Sequence, residues 1–343
     1  MDTTNPTGRK EDPTAEERKK DHIALAFEAQ VGSGDDRFYY EPLLHAHPSD
    51  DILLSTRFLG KQMKAPIWVS SMTGGTQWAK TINHNLASIC GEFGLGMGLG
   101  SCRILLYDNE YLDDFAVRKL IGDQPLYANL GIAQLETLIA EGRKDRITEL
   151  VKKLEADGLI IHVNPMQEWL QPEGDRFHRS PLDTIKNCLD LDLSVIVKEV
   201  GQGMGPESIR SLLELPIDAL DFGALGGTNF ALLEMMRHDK AVFEDYKDLA
   251  TIGHTALEMV DFVNHALEDL GGKVQCRQVI ISGGVRNFLD GYYLMEKVSL
   301  PAIYGQASGF LKHARNSTDE LRAYVKRQIE GLKLAKSYLS IRR

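Results

Sequence analysis

No apolar run in this sequence approaches the ~18 uncharged residues that span a bilayer, and none follows Met1. The chain is therefore expected to carry neither a membrane span nor a signal peptide. Cysteine is scarce. Cys90, Cys102, Cys188 and Cys276 are widely spaced, with no CxxC pair and no zinc spacing. Four separate thiols predict free cysteines in a reducing, cytoplasmic setting rather than a disulfide framework. Positive charge is in deficit, with 39 Lys and Arg against 49 Asp and Glu and a net charge of −10. That balance argues against nucleic acid as a partner, so an anionic ligand would need a local basic cluster. What is present is ordinary globular composition, 43% hydrophobic and 26% charged over 343 residues, ample for a large core.

Residues 1–20 carry ten charges and almost nothing apolar, which predicts a mobile arm ahead of one domain over 21–343. From residue 65 a rhythm sets in. Short apolar runs open at Ala65, Leu95, Gln124, Gly158, Ser194, Asp218, Arg277 and Pro301. Most are near-continuous and end in glycine or a polar residue, as strands buried on both faces do. Between them apolar residues recur at helical spacing, as at Trp78-Ile82-Leu86-Ile89, Leu257-Val260-Val263-Leu267 and Leu321-Val325-Ile329-Leu332. Strand starts lie 24 to 36 residues apart, except for 59 residues between Asp218 and Arg277. The excess, about residues 229–250, predicts a loop insertion over the mouth of the fold. Eight strand–helix units predict an α/β fold, a (β/α)8 TIM barrel, over an open doubly wound sheet with fewer units.

A barrel of this kind builds its active site at the C-terminal ends of the strands. Polar groups or glycines stand at all eight expected ends. They include Ser71-Met72-Thr73-Gly74-Gly75, Gly100-Ser101-Cys102-Arg103, Asn129-Leu130-Gly131 and His162-Val163-Asn164-Pro165-Met166-Gln167-Glu168. The other four are Lys198-Glu199, Gly226-Gly227-Thr228, Ser282-Gly283-Gly284 and Gly305-Gln306-Ala307. The last two suit a phosphate held by backbone N–H groups, with Thr228 as a hydroxyl donor, and the plain alternative is that these are turn glycines closing the strands. Lys198, at the end of a buried run, needs a partner. A Schiff base, an ion pair with Glu199 and an anionic cofactor ring all remain open. Glu168 beside amide and imidazole groups suits Mg2+ completed by substrate phosphates, although for any single Glu a solvent-facing loop carboxylate is the commoner case. Arg18, Lys19 and Arg103 suit a diphosphate. The plain alternative for Arg18-Lys19 is a charged tail, and for His22 and His162 a structural histidine.

Taken together these segments resemble the type 2 isopentenyl-diphosphate isomerases, flavin-dependent TIM-barrel enzymes. The resemblance covers about residues 17 to 314 and extends to Gln171-Pro172-Glu173-Gly174-Asp175-Arg176, Val197-Lys198-Glu199-Val200-Gly201 and Ser282-Gly283-Gly284-Val285-Arg286. The chain departs from that pattern at Phe177-His178-Arg179, at Tyr246–Thr251 and at Glu296–Pro301. The resemblance implies interconversion of isopentenyl and dimethylallyl diphosphate with reduced FMN and Mg2+, NADPH serving only to reduce the flavin. It implies FMN contacts at Ser71, Met72, Thr73, Ser101, Asn129, Lys198, Thr228, Gly283, Gly284, Gln306 and Ala307. It implies substrate contacts at Arg18, Lys19, His22, Ser101, Arg103, Asn164 and Gln167. Catalytic roles would fall to Gln167 and His162, the metal to Glu168, and the assembly would be a homo-oligomer, a tetramer or octamer.

Two rivals share the barrel. An FMN-dependent oxidase of 2-hydroxy acids would share the phosphate site and the strand-five lysine, but needs a histidine before strand seven, and residues 270–280 contain none. A non-catalytic phosphate-binding barrel would have no use for Gln167-Glu168 together with a basic arm.

Overall fold

The eight apolar runs become eight parallel strands closed into a barrel. The protein is represented by a computed structural model that describes residues 14–49, 54–238 and 240–342. The strands are β1 (Ile67–Val69), β2 (Gly96–Gly98), β3 (Leu126–Gly131), β4 (Gly158–Val163), β5 (Ser194–Glu199), β6 (Ala219–Asp221), β7 (Val279–Ser282) and β8 (Ala302–Gln306). Each pairs with the next, and β8 pairs with β1 through Tyr304↔Ile67, Gly305↔Trp68 and Gln306↔Val69. The register puts Gly131, His162, Lys198 and Asp221 on one level of the wall.

The near-continuous apolar character follows from burial on both strand faces. Trp68, Tyr127, Ile160, Ile196, Ile280 and Ile303 point inward and fill the barrel, joined by Phe58 and Met63 from a two-stranded hairpin, Thr56–Phe58 with Lys61–Met63. Their neighbours Ile67, Val69, Leu159, Ile161, Val195 and Val197 point outward against the helices. Period-two alternation thus serves two cores at once.

The helical stripes form as their spacing predicts. Gln77–Phe93 starts at Thr76, whose hydroxyl accepts from Ala79 N–H at 3.1 Å, and stops at Gly94 in the left-handed region. It buries Ile82, Leu86 and Ile89, but Trp78, in its first turn, is 62% exposed. Ala256–Leu270 buries Val260 and Val263, and Thr318–Tyr338 buries Leu321, Val325 and Leu332.

Two expectations need correction. The insertion after β6 is helical: Phe230–Arg237 and Lys240–Tyr246 are followed by a 3-10 turn, Lys247–Thr251. Ala231 and Met235 pack with Leu170 in a small separate cluster, and that burial selects helix over loop. In the predicted arm, Ala15–Leu25 is a helix whose first-turn acids, Glu16 and Glu17, complement the helix dipole. Residues 1–13 of that arm lie outside the described residues. Contacts divide the described residues into two units, 14–39 with 342, and 40–341.

All four cysteines are buried free thiols, as their spacing predicts. Among the described residues no helix is long and apolar enough to cross a membrane.

Candidate active site

Two cavities meet at the C-terminal ends of the strands. The larger, about 270 Å³, lies between the ends of β5 to β8 and β1, and is lined by Lys198, Gly226–Thr228, Gly283–Gly284 and Gln306–Ala307. The smaller, about 110 Å³, shares Ser71, Lys198, Val200 and Phe230 with it and adds Met72, Ser101, Asn129, His162 and Gln167. Sixteen barrel residues were expected in the site from its sequence motifs, and twelve of them line one cavity or the other.

The glycines are needed where they stand. Gly226 (φ 109°), Gly283 (φ 84°) and Gly284 (φ 71°) occupy the left-handed half of conformational space. A Cβ on Gly283 would lie 2.1 Å from the Ala224 carbonyl oxygen, and one on Gly226 would lie 3.1 Å from Gly284 Cα. Two turns interleave here, leaving bare backbone facing the cavity. Gln306, by contrast, has its side chain committed. Its amide donates to the Val285 carbonyl at 3.1 Å and its oxygen accepts from the Tyr324 hydroxyl at 2.8 Å. Its backbone carbonyl is engaged too, accepting the Ser70 N–H at 3.0 Å.

Lys198 is buried at the centre. Its Nζ donates to its neighbour's backbone, the Glu199 carbonyl, at 2.7 Å. The Glu199 carboxylate instead accepts the N–H groups of Gly201, Gln202 and Gly203 at 2.7, 2.6 and 2.9 Å. A side-chain ion pair between the two, one of the options open from sequence, does not form. Burial pushes the Glu199 carboxyl up despite those three donors. The same cause raises Asp221, fully buried on β6, with the Lys198 charge acting against it.

His162 Nδ1 lies 2.7 Å from Asn129 Oδ1, while Asn129 Nδ2 donates to the Leu99 carbonyl at 2.9 Å. That network assigns the imidazole proton to Nδ1 and leaves Nε2 as an acceptor. Burial, then the Lys198 charge, pulls the imidazole down to about 3, so the ring is neutral near pH 7.

Asn164, Gln167 and Glu168 form a linked set at the start of the helix Pro165–Leu170. Asn164 Nδ2 donates to Gln167 Oε1 and Glu168 Oε1, both at 3.1 Å. Glu168 Oε2 accepts the Asp175 N–H at 2.8 Å. Asn164 and Glu168 are buried behind the cavity wall rather than lining it. Arg103 also stands off the cavities, paired with Asp175 at 2.7 Å. Thr73 contributes its carbonyl to Asn83 at 3.1 Å and does not line them either. Arg18, Lys19 and His22 sit on the exposed helix Ala15–Leu25, in the other unit.

Several groups escaped the motif reading. Glu234, buried on the insertion helix, accepts from Gln167 Nε2 at 3.3 Å and from Arg237 at 2.5 Å. An arginine three residues after a glutamate would be the signal on a helix, but in sequence the segment reads as a loop. Ser70 and Ser71 carry buried hydroxyls with no partner, and Asn164 Oδ1 is likewise unpartnered. Unmet buried polar groups at a cavity rim call for a ligand or ordered water.

No family model matches the chain. Curated proteins do. Isopentenyl-diphosphate delta-isomerase from Rickettsia africae (strain ESF-5) is 34% identical over 328 residues, covering 93% of this chain and 92% of its own. That from Rickettsia felis (strain ATCC VR-1525 / URRWXCal2) is 35% identical over 326 residues, covering 93% and 91%. Among solved structures, a mandelate oxidase variant with 2-hydroxy-phenylacetamide has a TM-score of 0.59 at 13% identity, covering 90% of this chain and 86% of its own. A flavocytochrome b2 variant with pyruvate bound has 0.57 at 13%, covering 88% and 72%. Likeness at that identity establishes a shared barrel fold.

Proposed function

The chain belongs to the isopentenyl-diphosphate delta-isomerase family, and from that membership we propose that it interconverts isopentenyl diphosphate and dimethylallyl diphosphate. The observation that carries this reading is the sequence likeness, which spans nine-tenths of both chains and so includes every strand end of the barrel.

FMN is the cofactor we assign. The interleaved turns at Gly226, Gly283 and Gly284, which side chains would fill, suit a phosphate gripped by backbone N–H groups. The unpartnered Ser70 and Ser71 hydroxyls at the same rim add two donors. Bound in its reduced form, FMN would supply acid–base chemistry towards the allylic carbons without net oxidation. NADPH would serve only to bring the flavin to that state.

The chain's own groups then have distinct tasks. Lys198 presents its remaining N–H groups to both cavities and would neutralise an anionic ring edge. Gln167 has its amide oriented from both sides, by Asn164 and Glu234, and would lie beside the reacting carbons. His162, uncharged, offers Nε2 as an acceptor and not as a cation. Diphosphate charge would therefore fall to Arg103, with Arg18 and Lys19 from the arm.

For Mg2+ we assign Glu168. Each of its oxygens accepts one hydrogen bond and keeps a lone pair. Among the described residues no three His, Cys, Asp or Glu gather in a metal cage. One carboxylate completed by substrate phosphates and water is the habit of Mg2+.

We also assign a cytoplasmic homo-oligomer, a tetramer or octamer. Exposed Tyr40, Leu43 and Leu44, at 68, 93 and 67%, support an assembly surface.

The test is direct. Purified protein should be yellow and, after anaerobic reduction with Mg2+ present, should convert isopentenyl diphosphate. A yellow protein that instead oxidises 2-hydroxy acids in air would favour the chemistry of the structural neighbours. A colourless protein with neither activity would favour a binding barrel.

A further inference from the structure

The segment Gln171–Arg176 is braced more tightly than a surface loop requires. Arg176 donates to the carbonyls of Glu168 at 2.6 Å and Trp169 at 3.1 Å, and its guanidinium stacks over the Trp169 ring at 4.5 Å. Gly174 packs so closely that a Cβ would lie 2.0 Å from the Glu168 carbonyl oxygen. The braced residue between them is Asp175.

Asp175 touches both of the groups proposed to meet the diphosphate. Its N–H donates to Glu168 Oε2 at 2.8 Å. Its Oδ2 accepts from Gln134 Nε2 at 2.9 Å and pairs with Arg103 Nη1 at 2.7 Å. Gln134 is itself fixed, accepting the Gly131 N–H at 3.1 Å where β3 ends. A line of contacts thus runs from β3 through Gln134 and Asp175 to Arg103 and to Glu168.

We propose that Asp175 is a positioning residue that holds Arg103 and Glu168 ready for the substrate diphosphate and its metal, a role that rests on the proposed isomerase reading. Arg103 is half exposed, and without a partner its long side chain would sample many rotamers. Only Nη1 is engaged, so the rest of its planar donor fork is left for phosphate oxygens. The ordering cost is therefore met before substrate arrives. Asp175 is exposed enough for water to screen its repulsion of the diphosphate. Preorganisation outweighs that repulsion.

The experiment is a double-mutant cycle on the full-length protein, read by calorimetric titration with inorganic pyrophosphate in saturating Mg2+. Asp175→Asn should weaken binding about three- to tenfold, the cost of ordering one long side chain. It should raise KM for substrate with kcat held within about twofold, and it should leave flavin content unchanged. In an Arg103→Ala background the same substitution should have no further effect. Affinity that is unchanged or tighter in Asp175→Asn overturns the proposal, as do effects that simply multiply in the double variant. If Arg103→Ala alone leaves pyrophosphate binding intact, the diphosphate assignment fails and this inference with it. Should Asp175→Asn not fold, Gln134→Met removes the brace alone. It should weaken binding at least about twofold, and unchanged affinity there is equally decisive.

Discussion

Replacing Lys198 with Met tests the cofactor assignment most sharply, because the side chain's surroundings are fully specified. Methionine keeps most of the stem's volume and its packing within β5, and removes the ammonium with its charge and its N–H donors. Nζ makes one protein hydrogen bond, to the Glu199 carbonyl at 2.7 Å, so two of its three N–H groups remain for a ligand in the shared wall of the cavities. One charge-assisted hydrogen bond is worth ~1.5–3 kcal/mol, which predicts a roughly ten- to hundredfold weaker FMN. Titration of apo-protein by quenching of flavin fluorescence reads that directly, and far-ultraviolet circular dichroism checks the fold. A second readout is independent of flavin. Burial is the first cause of the low His162 pKa and the Lys198 charge only the second. Imidazole titration by NMR should therefore move up from about 3 in Lys198→Met yet stay well below 6.5. FMN affinity equal to wild type, in a folded variant, would refute the placement of the flavin against β5.

Glu168→Gln keeps volume and can still accept from one of its two donors, so the fold should hold. The Mg2+ concentration for half-maximal activity should nonetheless rise by ~10-fold or more, and an unchanged Mg2+ titration returns Glu168 to a structural role. Gly283→Ala forces a Cβ into the left-handed region and against the Ala224 oxygen. A loss of at least ~1–2 kcal/mol in stability, with weaker FMN, should appear in denaturant melts. His162 has a folded pKa below its unfolded value, so its contribution is full above about 6.5 and is lost as pH falls from there towards 3. Stability should decline by up to ~1.36 kcal/mol per pH unit in that window, softened by the part of the ring facing the cavity, and His162→Asn should flatten the slope.

The barrel was legible before any coordinates. Strands predicted to open at Gly158 and Ser194 begin there, and those predicted at Ala65, Leu95, Gln124, Asp218, Arg277 and Pro301 begin one or two residues later. The physical reason is local: a strand packed on both faces must be apolar throughout, and its end at the mouth must turn polar or become glycine. The glycines at 226, 283 and 284 were legible as turn glycines, and their positive φ angles require glycine there. What the linear pattern could not decide was partnership. Arg103 meets Asp175 across 72 positions and Gln167 meets Glu234 across 67, distances over which no periodicity carries information. Burial was equally out of reach, and it holds His162 neutral and raises the carboxyl of Glu199 over its three donors. The short helix Phe230–Arg237 owes its form to packing against Leu170, and in sequence it reads as a loop. Chain-local chemistry determined the scaffold and the rim. Only the closed barrel, by excluding water and bringing distant strand ends together, decided which rim groups are charged, which are paired and which are left for a ligand.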